Sequence, residues 1–140
     1  MFATDHAPHT LEEKDNVYTK APSGGPLVQH ALLALMEKVK ENVLPIEKLV
    51  EKACHNPAKI FQVEKRGYIK EGYFADLALL DDQKPQTVEK DNILYKCGWS
   101  PFEGTTFSTS VTHTFVNGVL MYNDGTFDEI HKGKRVTFDR

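Results

Sequence analysis

In the run Thr4-Asp5-His6-Ala7-Pro8-His9, one carboxylate and two imidazoles follow a short apolar stretch at the start of the chain. Such an aspartate can ligate a metal through one oxygen while its other oxygen moves a proton. A histidine four places later, His9, can present a donor to an anionic group. Together these suit hydrolysis of an amide, whose nitrogen leaves poorly unless it is protonated. The same residues also suit a plain turn, because aspartate commonly satisfies nearby backbone groups there. The spacing alone leaves both readings open.

The catalytic reading needs a strand in front of the motif and a loop behind it, since α/β enzymes carry reactive groups on loops that leave the carboxyl ends of strands. Met1 to Thr4 is the candidate strand, short for a parallel sheet and without neighbours of its own. A first strand ending in an active-site loop suits a piece of a larger barrel cut just before its last strand. Residues 6–25 read as a long polar loop, within which Thr10 and Glu13 have capping-box spacing for a helical turn over Leu11 to Asp15. Pro26 suits the first turn of a helix carrying Val28, Ala31 or Leu32, Leu35 and Val39 on one face as far as Lys40. Pro45 opens a second helix with Ile46, Leu49, Val50 and Ala53, which ends near His55 because Pro57 disfavours helical geometry at Asn56. A third starts at Asn56 with Ile60 and Phe61.

From Gly67 the pattern becomes strand-like. Tyr68-Ile69, Ala75 to Leu80, Ser110 to Phe115 and Val119 to Tyr122 are the candidate strands, and Asn117-Gly118 is a strong hairpin signal. Asp81 to Pro85 and Gly98 to Gly104 read as loops, and the end after Asp128 as a polar tail or a last strand through Val136 and Phe138.

The 140 residues suffice for one domain, with 40% hydrophobic and 26% charged residues. A formal net charge of −3 leaves no footprint for nucleic acid. No apolar stretch is long enough to span a bilayer, so a membrane role is not expected and a cytoplasmic location is the default. Cys54 and Cys97 lack ligand spacing and are expected as reduced thiols. His30, His55, His113 and His131 share no short metal-ligand spacing either. Asp76 reads as a strand-entry residue bonding to backbone, and Ser100 to Gly104 as a structural turn.

The hexapeptide resembles the signature of dihydroorotases, zinc amidohydrolases that interconvert N-carbamoyl-L-aspartate and dihydroorotate in pyrimidine biosynthesis. Further ordered matches extend the resemblance over essentially the whole chain. They are Glu13-Lys14, Lys20 to Gly24, His55 to Phe61, Gly67 to Gly72, Ala75 to Ala78, Trp99 to Gly104 and Val116 to Gly118. The resemblance implies an α/β fold: the C-terminal part of a (β/α)8 TIM barrel over residues 1–62, then a small β-rich composite domain over 63–140. It implies that Asp5 is the zinc-ligating general acid/base, that His9 binds the substrate carboxylate, and that Ser23 and Gly24 make a backbone contact to the ring. His6 is given an orienting or packing role. Position 23 often carries a larger apolar residue in the family, and Gly25-Pro26 is unusual beside it.

A lone carboxylate cannot hold zinc tightly, because a catalytic zinc normally takes about three protein ligands. The resemblance places the remaining ligands outside this chain, so these residues are expected to be inactive alone. It also implies a small-molecule substrate, a homo-oligomer and aspartate carbamoyltransferase as a partner. Other readings are an amidohydrolase of the hydantoinase, dihydropyrimidinase or allantoinase type, a non-catalytic dihydroorotase-like scaffold for that transferase, and a free-standing β-rich binding module. The hydantoinase-type substrates lack the acidic group that His9 would bind.

Overall fold

The computed structural model describes residues 1–139 and divides them into a helical first half and an antiparallel second half. Helix α1 spans Leu11–Lys14 and carries the expected capping box, with the Thr10 N–H on Glu13 Oε2 at 2.9 Å and the Glu13 N–H on Thr10 Oγ1 at 3.3 Å. Helix α2 spans Ala31–Lys40 and starts later than Pro26 predicts. Residues 25–27 are instead drawn toward the motif, where the His6 ring accepts the Leu27 N–H. The buried residues of α2 are Leu33 and Met36, not the expected face, and Val28 is exposed.

Helix α3 spans Ile46–Val50 and buries Leu49. It does not end near His55. A π-helical turn over Glu51–His55 carries it directly into α4, Asn56–Ile60. Pro57 has no N–H and crowds the carbonyl four residues back. The widened turn, with the Asn56 N–H on the Glu51 carbonyl, lets the chain remain helical through that position.

Four strands form one antiparallel sheet in the order β1-β4-β5-β6, with β1 at Leu77–Asp81, β4 at Ser110–Val116, β5 at Val119–Asn123 and β6 at Thr126–Phe127. Strands β2, Gln86–Thr87, and β3, Thr106–Phe107, form a separate pair. Asn117 and Gly118 turn the β4–β5 hairpin with φ of 52° and 82°. Positive values at both centres are what such a two-residue turn demands. Neither β6 nor the β2–β3 pair was expected from the sequence. Met1 to Thr4 is not a strand, since the parallel neighbours such a strand needs are missing among the described residues; the Phe2 N–H instead bonds the Lys52 carbonyl at 3.1 Å. Tyr68-Ile69 is not a strand either: Tyr68 stacks on His55 with centroids 4.1 Å apart, and Ile69 is exposed. In the tail, Phe138 forms an isolated antiparallel bridge with Val63.

Leu33, Val88 and Phe107 are the buried cluster joining α2 to the strands, with Ala34, Ile93, Phe102 and Val111 against it. Each such side chain contributes about 1.5–3 kcal/mol when fully buried. Polar contacts fix the direction of packing. Glu37 on α2 accepts the Ser108 N–H at 2.7 Å and its hydroxyl at 2.8 Å. Gln29 donates to the Asn92 carbonyl at 2.8 Å and accepts the Leu94 N–H at 2.9 Å.

Asp76 has the structural role read from the sequence. Its Oδ1 accepts the Asn117 N–H at 2.6 Å, and its carboxylate pairs with Arg66, which also donates to Asn117 Oδ1 at 2.7 Å. Asp76→Ala leaves the mostly buried guanidinium of Arg66 without its counter-charge. It is expected to lower stability by about 2 kcal/mol, measured as a shift in the urea midpoint at constant slope.

The ionisable groups around α2 make the chain acid-sensitive. The Ser108 bonds hold Glu37 below its ordinary value of 4.5. Burial pushes His30 below its ordinary 6.5. In both cases the unfolded chain binds the proton more readily, so this stability is present above each ordinary value and is lost as pH falls through the depressed one. Melting temperature is therefore expected to drop from neutral pH, first over the His30 range and then over that of Glu37. Glu37→Gln should flatten the lower part of that drop.

Candidate active site

The motif and the second half of its loop are laced together by backbone. His6 and Gly25 form a parallel bridge, and the Ala7 N–H donates to the Gly25 carbonyl at 3.0 Å. Asp5 precedes this bridge with φ of 47°, a left-handed conformation that aspartate tolerates better than most residues but that still costs energy. Residues held there by their surroundings cluster at functional sites. The Asp5 side chain is exposed, free to meet a ligand.

Gly24 lies against this turn. Its φ is 85°, and a Cβ there would stand 2.7 Å from the Ala7 Cβ and 3.9 Å from the Asp5 carbonyl oxygen. Only glycine lets the two segments approach so closely. Ser23 is exposed beside it. The structure therefore brings Asp5 and the Ser23-Gly24 backbone to one place, with His9 on the same loop.

Short helix α1 braces both sides. Lys14 Nζ donates to the Pro22 carbonyl at 2.6 Å and to the Gly24 carbonyl at 2.8 Å. Glu13 Oε2, already bonded to the Thr10 N–H, stands 3.3 Å from His9 Nδ1. A carboxylate on that nitrogen fixes the direction of the ring and leaves Nε2 as the ring atom that can meet a substrate. His6 is tied to the backbone after Pro26 and lies against Tyr95. Its Nδ1 accepts the N–H groups of Leu27 at 3.1 Å and Val28 at 3.4 Å, and its ring centroid is 5.3 Å from that of Tyr95.

Sequence reasoning assigned no role to Lys14, Tyr95 or Trp99. The Trp99 indole N–H donates to the His9 carbonyl at 2.8 Å. Tyr95 takes the Gln29 N–H on its hydroxyl at 2.7 Å, and burial raises its phenol above the ordinary 10. Lys14 could have been suspected from its place one residue after the capping glutamate. Trp99 opens the Trp99 to Gly104 match, but nothing local signals its bond to His9. His30, read as an ordinary helix histidine, is the buried N-cap residue of α2, with Nδ1 at 3.1 Å from Ser100 Oγ.

Among the described residues, no group of three or more His, Cys, Asp or Glu side chains gathers as a metal site. Asp5 fits a metal as one exposed carboxylate ligand. The described residues do not gather the three or so donors that a catalytic zinc normally takes.

The profile of the amidohydrolase family matches residues 1–121. A dihydroorotase of Clostridium acetobutylicum is 38% identical over 125 residues, which cover 89% of this chain and 29% of that protein. A dihydroorotase of Pyrococcus furiosus is 32% identical over 136 residues, covering 97% of this chain and 32% of that protein. Among solved structures, a D-hydantoinase (dihydropyrimidinase) from Thermus sp. superposes with a TM-score of 0.82 at 27% identity, over 89% of this chain and 28% of its own. An L-hydantoinase (dihydropyrimidinase) from Arthrobacter aurescens gives 0.78 at 28% identity, over 88% of this chain and 28% of its own. The chain thus spans less than a third of the length of these curated relatives.

Proposed function

Because the chain belongs to the amidohydrolase family, we propose that it is the C-terminal part of a dihydroorotase and carries that enzyme's general acid/base and substrate loop. The observation that carries this reading is the clasp that draws Asp5 beside Gly24, through the Ala7–Gly25 bond and the two Lys14 bonds, with Glu13 against His9 on the same loop. Residues 1–62 would close a (β/α)8 barrel and residues 63–140 would form the small β domain. The change from helices before Phe61 to antiparallel strands after Leu77 supports that division.

Hydrolysis of dihydroorotate adds water to a ring carbonyl and breaks the bond to the ring nitrogen. Asp5 accepts the proton of the attacking water and delivers it to that nitrogen, which leaves as the NH2 of the carbamoyl group. His9, backed by Glu13, holds the substrate carboxylate through Nε2. The backbone at Ser23 and Gly24 lies against the ring, and Gly24 permits the close approach. Asp5 would be one ligand of a divalent metal, zinc in this proposal, which when bound acts as a Lewis acid and makes water nucleophilic at neutral pH. The other ligands would come from residues outside these 140, so the chain alone is expected to be inactive. The enzyme would act in pyrimidine biosynthesis, in the cytoplasm, as a homo-oligomer, with aspartate carbamoyltransferase as a partner.

The test compares dihydroorotate with dihydrouracil, the same ring without the carboxylate, as substrates of the full-length protein. Preference for dihydroorotate, lost in His9→Ala through a higher KM, supports the reading. Better turnover of dihydrouracil would replace it with a hydantoinase-type activity. No turnover of either, with retained binding to the carbamoyltransferase, would replace it with a scaffold.

A further inference from the structure

We propose that Trp99 is a positioning residue for His9, acting through its indole N–H on the His9 carbonyl at 2.8 Å, a bond that spans 90 residues of chain. The inference rests on the reading of His9 as the group that holds the substrate carboxylate. His9 stands immediately before the N-cap of α1, so the orientation of its own peptide decides where its ring can reach. Glu13 restrains one ring nitrogen, and Trp99 restrains the backbone. Neither restraint does the work of the other.

The segment bearing Trp99 is a firm support. Its neighbour Ser100 is buried, with Oγ against His30 Nδ1 at 3.1 Å and accepting the Phe102 N–H at 3.2 Å. Four residues earlier, Tyr95 is tied to the start of α2 through the Gln29 N–H and lies against the His6 ring. The same segment therefore meets the motif at His6 and again at His9. The Trp99 ring also backs the other half of the loop, since a Cβ on Gly25 would stand 3.7 Å from Trp99 Cη2. An indole is a donor only, so its hydrogen bond to a carbonyl has one sense and one direction. Phenylalanine would keep most of the ring contact and remove the donor.

The test is Trp99→Phe in the full-length protein, read by dihydroorotate kinetics and by hydrogen exchange over residues 6–10. KM is expected to rise about fivefold to tenfold with kcat changed less than about twofold, the mark of lost substrate binding. Exchange over residues 6–10 should quicken while the melting temperature stays close to that of the parent. A purely structural role would lower the melting temperature and the active fraction and leave KM where it was, and that result would overturn the proposal. Unchanged KM with unchanged exchange would overturn it too. Where the unmodified protein does not hydrolyse dihydroorotate, the functional reading fails by itself, and the exchange measurement still decides for or against Trp99. If Trp99→Phe does not fold, benzothienylalanine at position 99 keeps the bicyclic shape without the N–H, and the same two outcomes apply.

Discussion

Asp5→Asn in the full-length protein is expected to lower kcat for dihydroorotate by about 1,000-fold or more, with little change in the stability of the fold. Asparagine keeps the size of the side chain and, like aspartate, tolerates the φ of 47° at this position. What it removes is the charge that would ligate a metal and the oxygen that would carry a proton in the proposed reaction. General acid–base catalysis alone contributes about 100-fold to 10,000-fold, and a weakened metal site adds to the loss. Metal content measured beside kcat separates the two contributions. Retained activity with retained metal would show that another residue moves the proton, and the assignment of Asp5 would fall.

Gly67→Ala is expected to be the most damaging single change to the fold. Gly67 has φ of 79°, and a Cβ there would stand 2.6 Å from the Ala58 Cβ and 2.7 Å from the Cys54 carbonyl oxygen. One of these neighbours is helix backbone and the other is the buried residue of α4, so neither yields cheaply. The Gly67 carbonyl also faces His55 Nδ1 at 2.6 Å. Left-handed strain of about 1–3 kcal/mol and overpacking of about 1–3 kcal/mol together predict a loss of about 2–6 kcal/mol. Guanidinium unfolding measures it. A loss under about 1 kcal/mol would mean that the loop after α4 shifts freely. Gly72→Ala is the control, because it shares the positive φ of 79° but nothing lies within 4 Å of its added Cβ.

Much of the local architecture was legible in the sequence. The Thr10–Glu13 spacing predicted α1, Asn117-Gly118 predicted the β4–β5 hairpin, and Leu49 was correctly placed on a buried helix face. Other elements were misread for identifiable reasons. Pro26 resembles a helix start, but the contacts of residues 25–27 with His6 and Ala7 hold that stretch outside α2. Pro57 resembles a helix stop, but a π turn absorbs its missing donor. Met1 to Thr4 has the composition of a strand, and a strand exists only where another strand pairs with it.

What the sequence determined by itself is the local form of the loop that carries Asp5 and His9, the Thr10–Glu13 capping box above all, because spacing of a few residues fixes local hydrogen bonds and caps. The tertiary structure alone decided what holds that loop in place. Lys14 reaches the carbonyls of Pro22 and Gly24, Gly24 packs against Ala7, and Trp99 grips His9 from the far half of the chain. Such contacts depend on where distant segments are brought by burial of Leu33, Val88 and Phe107. No periodicity or short motif records that placement, because the hydrophobic effect that drives it is non-directional and names no partner.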